Sequence, residues 1–202
     1  MSKQSELMNR IRRTPRGIPF AIHRWAQVYG SSVANKAVAA LVATGDVARL
    51  QRGVYVRPRR HAVLGTVMPA PEAALKVAAR SRDQRIEVGG REALRRIGLT
   101  TQVPLQTTFL TSGKSRSVDV GRRRIRLEHA PAAYLAYAGT PVGAALSALR
   151  EIGPDGLTPA VLARVLTRLQ PTDRRTLLRH AKRLPRRMAR ALGDAARQSG
   201  PM

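Results

Sequence analysis

The chain has 202 residues, 43% of them hydrophobic, enough for one domain or two small ones with a buried core. Its 37 Lys+Arg against 12 Asp+Glu leave a net charge of +25, at which a compact chain repels itself and a polyanion becomes the expected partner. The absence of cysteine excludes disulfides and Cys-ligated zinc, 3% aromatics leave no large stacking platform for single strands, and no run reaches the roughly 18 apolar residues of a membrane span.

The opening MSKQSELMNRIRR lacks the apolar run of a signal peptide, so a cytoplasmic location and no membrane partner are expected. Residues 3–13 are expected to form a first helix, with Leu7, Met8 and Ile11 at helical spacing, stopped by Thr14-Pro15-Arg16-Gly17. After the short extended piece Gly17–Phe20, a second helix is expected from Ile22 to about Val28. Gly30 makes the turn, Ser31 or Ser32 is the expected N-cap, and a third helix runs to about Thr44. Its apolar positions Val33, Ala34, Ala37, Val38, Leu41 and Val42 trace one buried face, and Gly45 sits where a helix-ending glycine belongs. Residues 46–50 and 54–56 are β-prone pieces joined by Gln51-Arg52-Gly53, a hairpin with glycine at its turn. Helix, short helix, turn, helix and hairpin are the order of a winged helix-turn-helix, expected over residues 1–60. This segment holds 12 basic and only 2 acidic side chains.

Beyond Arg60 a helix is expected from Pro71 to about Arg80, then a short strand at 85–88 and a helix at 91–97. Strand-like pieces follow at 107–111, 117–120 and 122–128, and from Pro131 onward the pattern is helical to about residue 198, with a break or end at Pro185. The expected fold is therefore α+β: the winged helix-turn-helix, then a small mixed α/β domain over 61–202. Its short sheet lies at about 85–128 and its helical part at 131–198.

In a helix-turn-helix the second helix lays its N-terminal residues against base edges in the major groove. Here its polar side carries Ser32, Asn35, Lys36 and Ala39. Asn can pair bidentately with adenine, Lys can donate to guanine, and an alanine methyl can touch the thymine methyl. Ser31, at the helix start, suits a phosphate. Each residue taken alone also fits an ordinary solvated helix surface. Arg49, Arg52, Arg57, Arg59 and Arg60 crowd the hairpin, which makes them expected backbone or minor-groove contacts. A solvated edge guarded by charge would need only one or two of them. Near the C-terminus, Arg175, Arg179, Lys182, Arg183, Arg186 and Arg190 recur at spacings of three and four, compatible with one helical stripe. That stripe reads either as a solvated face or as a second nucleic-acid contact.

The run Gly30-Ser31, Val38 to Gly45, Leu50-Gln51-Arg52-Gly53-Val54-Tyr55 and Pro58 resembles the winged helix-turn-helix of AbiE-type (AbiEi-like) antitoxins. The middle segment resembles that family's second domain through Glu92-Ala93-Leu94, Gly98 to Pro104, Phe109-Leu110-Thr111-Ser112-Gly113 and Ile125. The likeness spans about residues 7–128. It implies a transcriptional autorepressor that binds inverted repeats in its own double-stranded operator. It also implies the antitoxin of a type IV toxin–antitoxin system, opposing a nucleotidyltransferase-like toxin without a stable complex.

Two other classes remain open: an RNA- or ribosome-associated basic protein, and a nucleic-acid-processing enzyme. Against an enzyme, Thr111-Ser112-Gly113-Lys114-Ser115 ends like a phosphate loop but has Thr108 where the earlier glycine belongs, so a turn between strands is expected. His23, His61, His129 and His180 are scattered without ligand spacing, so neither a metal nor another cofactor is expected.

Overall fold

The computed structural model describes residues 2–63 and 65–198, which form two compact units. Of the described residues, the first comprises those up to Gln84 together with Val118–Arg124, and the second Arg85–Ser117 together with residues 125–198. The expected boundary at residue 60 falls inside the first unit, because the chain continues there through a further hairpin and helix.

In the first unit, α1 (Lys3–Arg12) leads to β1 (Phe20–Ala21), α2 (His23–Tyr29) and α3 (Ser31–Ala43). Strands β2 (Ala48–Gln51) and β3 (Val54–Val56) follow, and the three strands pair antiparallel in the order β1-β3-β2. The helical periodicity is the cause of this packing. Leu7 and Ile11 of α1 meet Ala34, Ala37, Val38 and Leu41 of α3, all essentially without solvent exposure, and Val47 closes the cluster. Small alanines on the buried side of α3 let the helices approach closely. Val42 departs from expectation: it is 39% exposed, since the apolar stripe is one residue narrower than the sequence pattern.

Two local devices bound α3. At its C-terminal end Gly45, at φ 73°, donates its N–H to the Val42 carbonyl, the left-handed stop that glycine adopts without cost. At its start the expected serine cap is absent. Gly30 (φ 85°) occupies the N-cap position without any side-chain bond, and Ser31 is already helical.

The chain then adds what the sequence pattern did not suggest, a hairpin of β4 (Arg59–His61) and β5 (Gly65–Val67), before α4 (Pro71–Arg80), whose first residue is the proline expected there. Every described residue of these two strands is exposed, so no apolar alternation marks them.

After β6 (Ile86–Val88), α5 (Gly90–Arg96) and β7 (Thr108–Thr111) of the second unit come β8 (Arg116–Val120) and β9 (Arg123–His129), whose joining segment Val118–Arg124 belongs to the first unit; the sheet order is β6-β7-β9-β8. Strand β7 runs antiparallel to β6 and parallel to β9. Residues 111–115 link β7 to β8, with the Gly113 N–H donating to Thr111 Oγ1, a connection between two strands as expected. Helices α6 (Ala132–Leu135), α7 (Pro141–Ile152), α8 (Pro159–Thr167), α9 (Pro171–His180) and α10 (Arg186–Gln198) complete the α+β fold. Helix α7 is the core, buried at Val142, Gly143, Ala145, Leu146, Ser147, Ala148 and Leu149. No sequence motif marks Glu87, a buried carboxylate that accepts the Val88 N–H at 2.8 Å and the Gly139 N–H at 2.6 Å. Among the described residues no helix is long and apolar enough to cross a membrane.

Candidate nucleic-acid interface

The outer face of α3 follows from its inner one. With Ala34, Ala37, Val38 and Leu41 inward, Ser32, Asn35, Lys36 and Ala39 are turned outward and all are exposed, as is Ser31 at the helix start. An α-helix leaves its first amides without intrahelical acceptors, and no side chain caps these. Polar donors, open amides and a small alanine therefore share one accessible surface.

The wing beside it is tight. Arg52 and Gly53 form the turn between β2 and β3, and Gly53 takes φ 78°, which the turn requires of it. The Ile22 N–H donates to the Gly53 carbonyl at 3.0 Å, tying the wing to the entry of α2. Arg49 and Arg52 are exposed, and neither forms an ion pair among the described residues.

The other arginines expected on this ribbon divide by their partners. Arg57 is turned inward: its guanidinium donates to the Thr14 carbonyl at 2.6 Å, and its Nε is buried with no acceptor. Burial, and then the nearby Arg16 charge, lower its pKa from the usual arginine range. The Gly17 N–H donates to the Arg57 carbonyl at 2.7 Å, Arg16 donates to the Pro58 carbonyl, and Arg59 Nε donates to the Arg16 carbonyl at 3.1 Å. These bonds close the loop between α1 and β1 against the strand exit. Arg57 is thus a structural clasp and not a free phosphate contact, while Arg59 is half committed to the same clasp. Arg60 is exposed, but on the β4–β5 hairpin and not on the wing.

Acid is scarce in this unit. Asp46 is the only carboxylate between residues 7 and 71. Arg12 holds it through a 3.0 Å hydrogen bond that lowers its pKa, with Thr44 donating as well. The expected readers of α3 therefore stand free of any unpaired negative charge from this segment.

In the second unit, Arg175, Arg179, Lys182, Arg183, Arg186 and Arg190 are all exposed. They do not form one helical stripe. A 3₁₀ turn at Ala181–Arg183 and the Leu184-Pro185 step separate α9 from α10, because proline cannot continue the first helix. Arg175 and Arg179 line a cleft of about 550 Å³ with Thr172, Thr176 and Leu178. Of the histidines, His23, His61 and His129 are exposed. His180 is buried, its Nε2 2.7 Å from the Ala133 carbonyl and its ring edge-on to Tyr137. Among the described residues no three His, Asp or Glu side chains gather as metal ligands.

Element order, sheet order and the outward face of α3 define a winged helix-turn-helix with a basic wing, followed by a second α+β unit. The chain belongs to a family of unknown function, DUF6088, whose model matches residues 6–177. It is similar to the solved structure of the RV2827C protein from Mycobacterium tuberculosis at 12% identity and a TM-score of 0.46, over 96% of this chain and 77% of that one. No curated protein matches the sequence.

Proposed function

We propose that this protein is a sequence-specific, duplex-DNA-binding transcriptional regulator that inserts α3 in the major groove and sets the Arg52 tip on the backbone or in the minor groove. The observation that carries this reading is the outward side of α3, Ser32, Asn35, Lys36 and Ala39, beside a wing whose Arg49 and Arg52 are free of acidic partners. Asn35 and Lys36 read base edges in this scheme, and Ser31, Arg49 and Arg52 hold phosphate. Asn35→Ala is expected to relax preference at one base position and cost about 1–3 kcal/mol on the specific site, with binding to random duplex unchanged. Equal loss on both duplexes would remove the base-reading role. Operator should also compete over double-stranded RNA by roughly 10³-fold or more, and parity between the two would favour an RNA-associated protein instead.

The finer reading is an autorepressor and type IV antitoxin, supported by the AbiE-type residues Leu50 to Tyr55 and Gly98 to Pro104. Co-expression with a nucleotidyltransferase-like toxin of the type IV class tests it. Growth arrest by the toxin alone, relieved by this protein, is the expected result. Arrest that persists would leave a regulator without antitoxin activity.

A further inference from the structure

We infer that the turn of the β8–β9 hairpin is a second duplex-phosphate contact set beside the wing, an inference that rests on the DNA-binding reading above. The residues concerned, Val118–Arg124, belong to the first unit. Strand β2 is the edge of the β1-β3-β2 sheet, and its pairing with β3 is irregular between Arg49 and Gln51. The Leu50 carbonyl at that irregularity accepts the Gly121 N–H at 2.8 Å. Gly121 makes the turn at φ 60°, a conformation that glycine adopts freely, and Val120 beside it is 4% exposed. The turn is thereby fixed against the strand that carries Arg49 and leads into Arg52.

Its next three residues are Arg122, Arg123 and Arg124, all exposed. Arg124 pairs with Asp119 at 3.2 Å, and Arg122 and Arg123 have no acidic partner among the described residues. Covering the sheet edge requires the Gly121 amide and the Val120 side chain, not three consecutive like charges that repel one another. Phosphate supplies what they lack. The distance is suitable. Leu50 to Arg52 spans at most about 7 Å and Gly121 to Arg122 about 3.8 Å, while bonded strands lie about 5 Å apart. The two tips therefore have Cα atoms within about 16 Å. A duplex presents one phosphate charge per about 1.7 Å of axis, so one continuous tract of backbone can meet both.

The test uses the full chain and a random-sequence duplex, with affinity followed by fluorescence anisotropy across a salt series. Each phosphate neutralised contributes about 0.9 to the slope of log Kobs against log salt. The double variant Arg122→Ala/Arg123→Ala should therefore flatten the slope by about 1.8. Arg122→Lys/Arg123→Lys should retain the wild-type slope, since a phosphate needs the charge and not the guanidinium fork. If the alanine variant keeps the wild-type slope while Arg52→Ala lowers it, the hairpin contact is refuted and the DNA-binding reading stands. If the wild-type chain fails to bind duplex at all, the DNA-binding reading itself is refuted.

Discussion

Arg57 and Arg52 stand five residues apart: Arg57 is bonded inward to the Thr14 carbonyl, whereas Arg52 is exposed and, under the proposed function, meets phosphate. Truncating Arg57 to alanine removes its 2.6 Å hydrogen bond to the Thr14 carbonyl. A hydrogen bond from a charged donor is worth about 1.5–3 kcal/mol, and relief of the buried, unpartnered Nε returns about 1 kcal/mol. A net loss of about 0.5–2 kcal/mol follows, most of it from the loop between α1 and β1. With a urea m-value of about 2 kcal/mol/M, the unfolding midpoint should fall by about 0.25–1 M at unchanged m. The salt slope of duplex binding should not change, because the side chain is not available to phosphate. Arg52→Ala should do the reverse, leaving the midpoint in place and flattening the slope by about 0.9. If Arg57→Ala keeps its urea midpoint and instead flattens the slope as Arg52→Ala does, the clasp does not exist and the guanidinium faces nucleic acid.

Gly143→Ala should destabilise the second unit by about 1–3 kcal/mol, because a Cβ there would strike the Tyr137 carbonyl oxygen and come within 2.6 Å of Glu87 Oε2. Thermal unfolding checks this, and an unchanged midpoint would mean that the loop before α7 can yield. Glu92 is held in its ionised form mainly by hydrogen bonds from Arg95 at 2.6 and 2.7 Å, which lower its pKa in the folded chain. Its contribution is complete above the ordinary glutamate pKa of about 4.3 and is lost as pH falls through the lower folded value. Glu92→Gln should therefore be less stable than wild type at pH 7, with the gap closing below about pH 4. A gap independent of pH would assign the loss to packing.

Much of the first unit was legible from short-range rules. The alternation of Ala37, Val38 and Leu41 with Asn35, Lys36 and Ala39 determines which side of α3 faces water. Gly45 ends that helix, and Pro71 opens α4, through constraints that act within one turn. The start of α3 was misread because a serine there satisfies the capping rule in composition, whereas the positive φ of Gly30 carries the chain into the helix one residue earlier. The β4–β5 hairpin was missed because strands exposed on all sides carry no alternating apolar signal.

By itself the sequence determined the order of elements in the winged helix-turn-helix, the buried side of α3 and the excess of positive charge, since each depends on neighbours within a turn or on composition. Only the tertiary structure decided which cations are free. Arg57 meets Thr14 across 43 residues, Arg12 meets Asp46 across 34, and Gly121 reaches the Leu50 carbonyl. The physical reason is that a guanidinium looks the same in the sequence whether it will face solvent or a buried carbonyl. Chain folding alone brings the distant acceptor to it or leaves it open to phosphate.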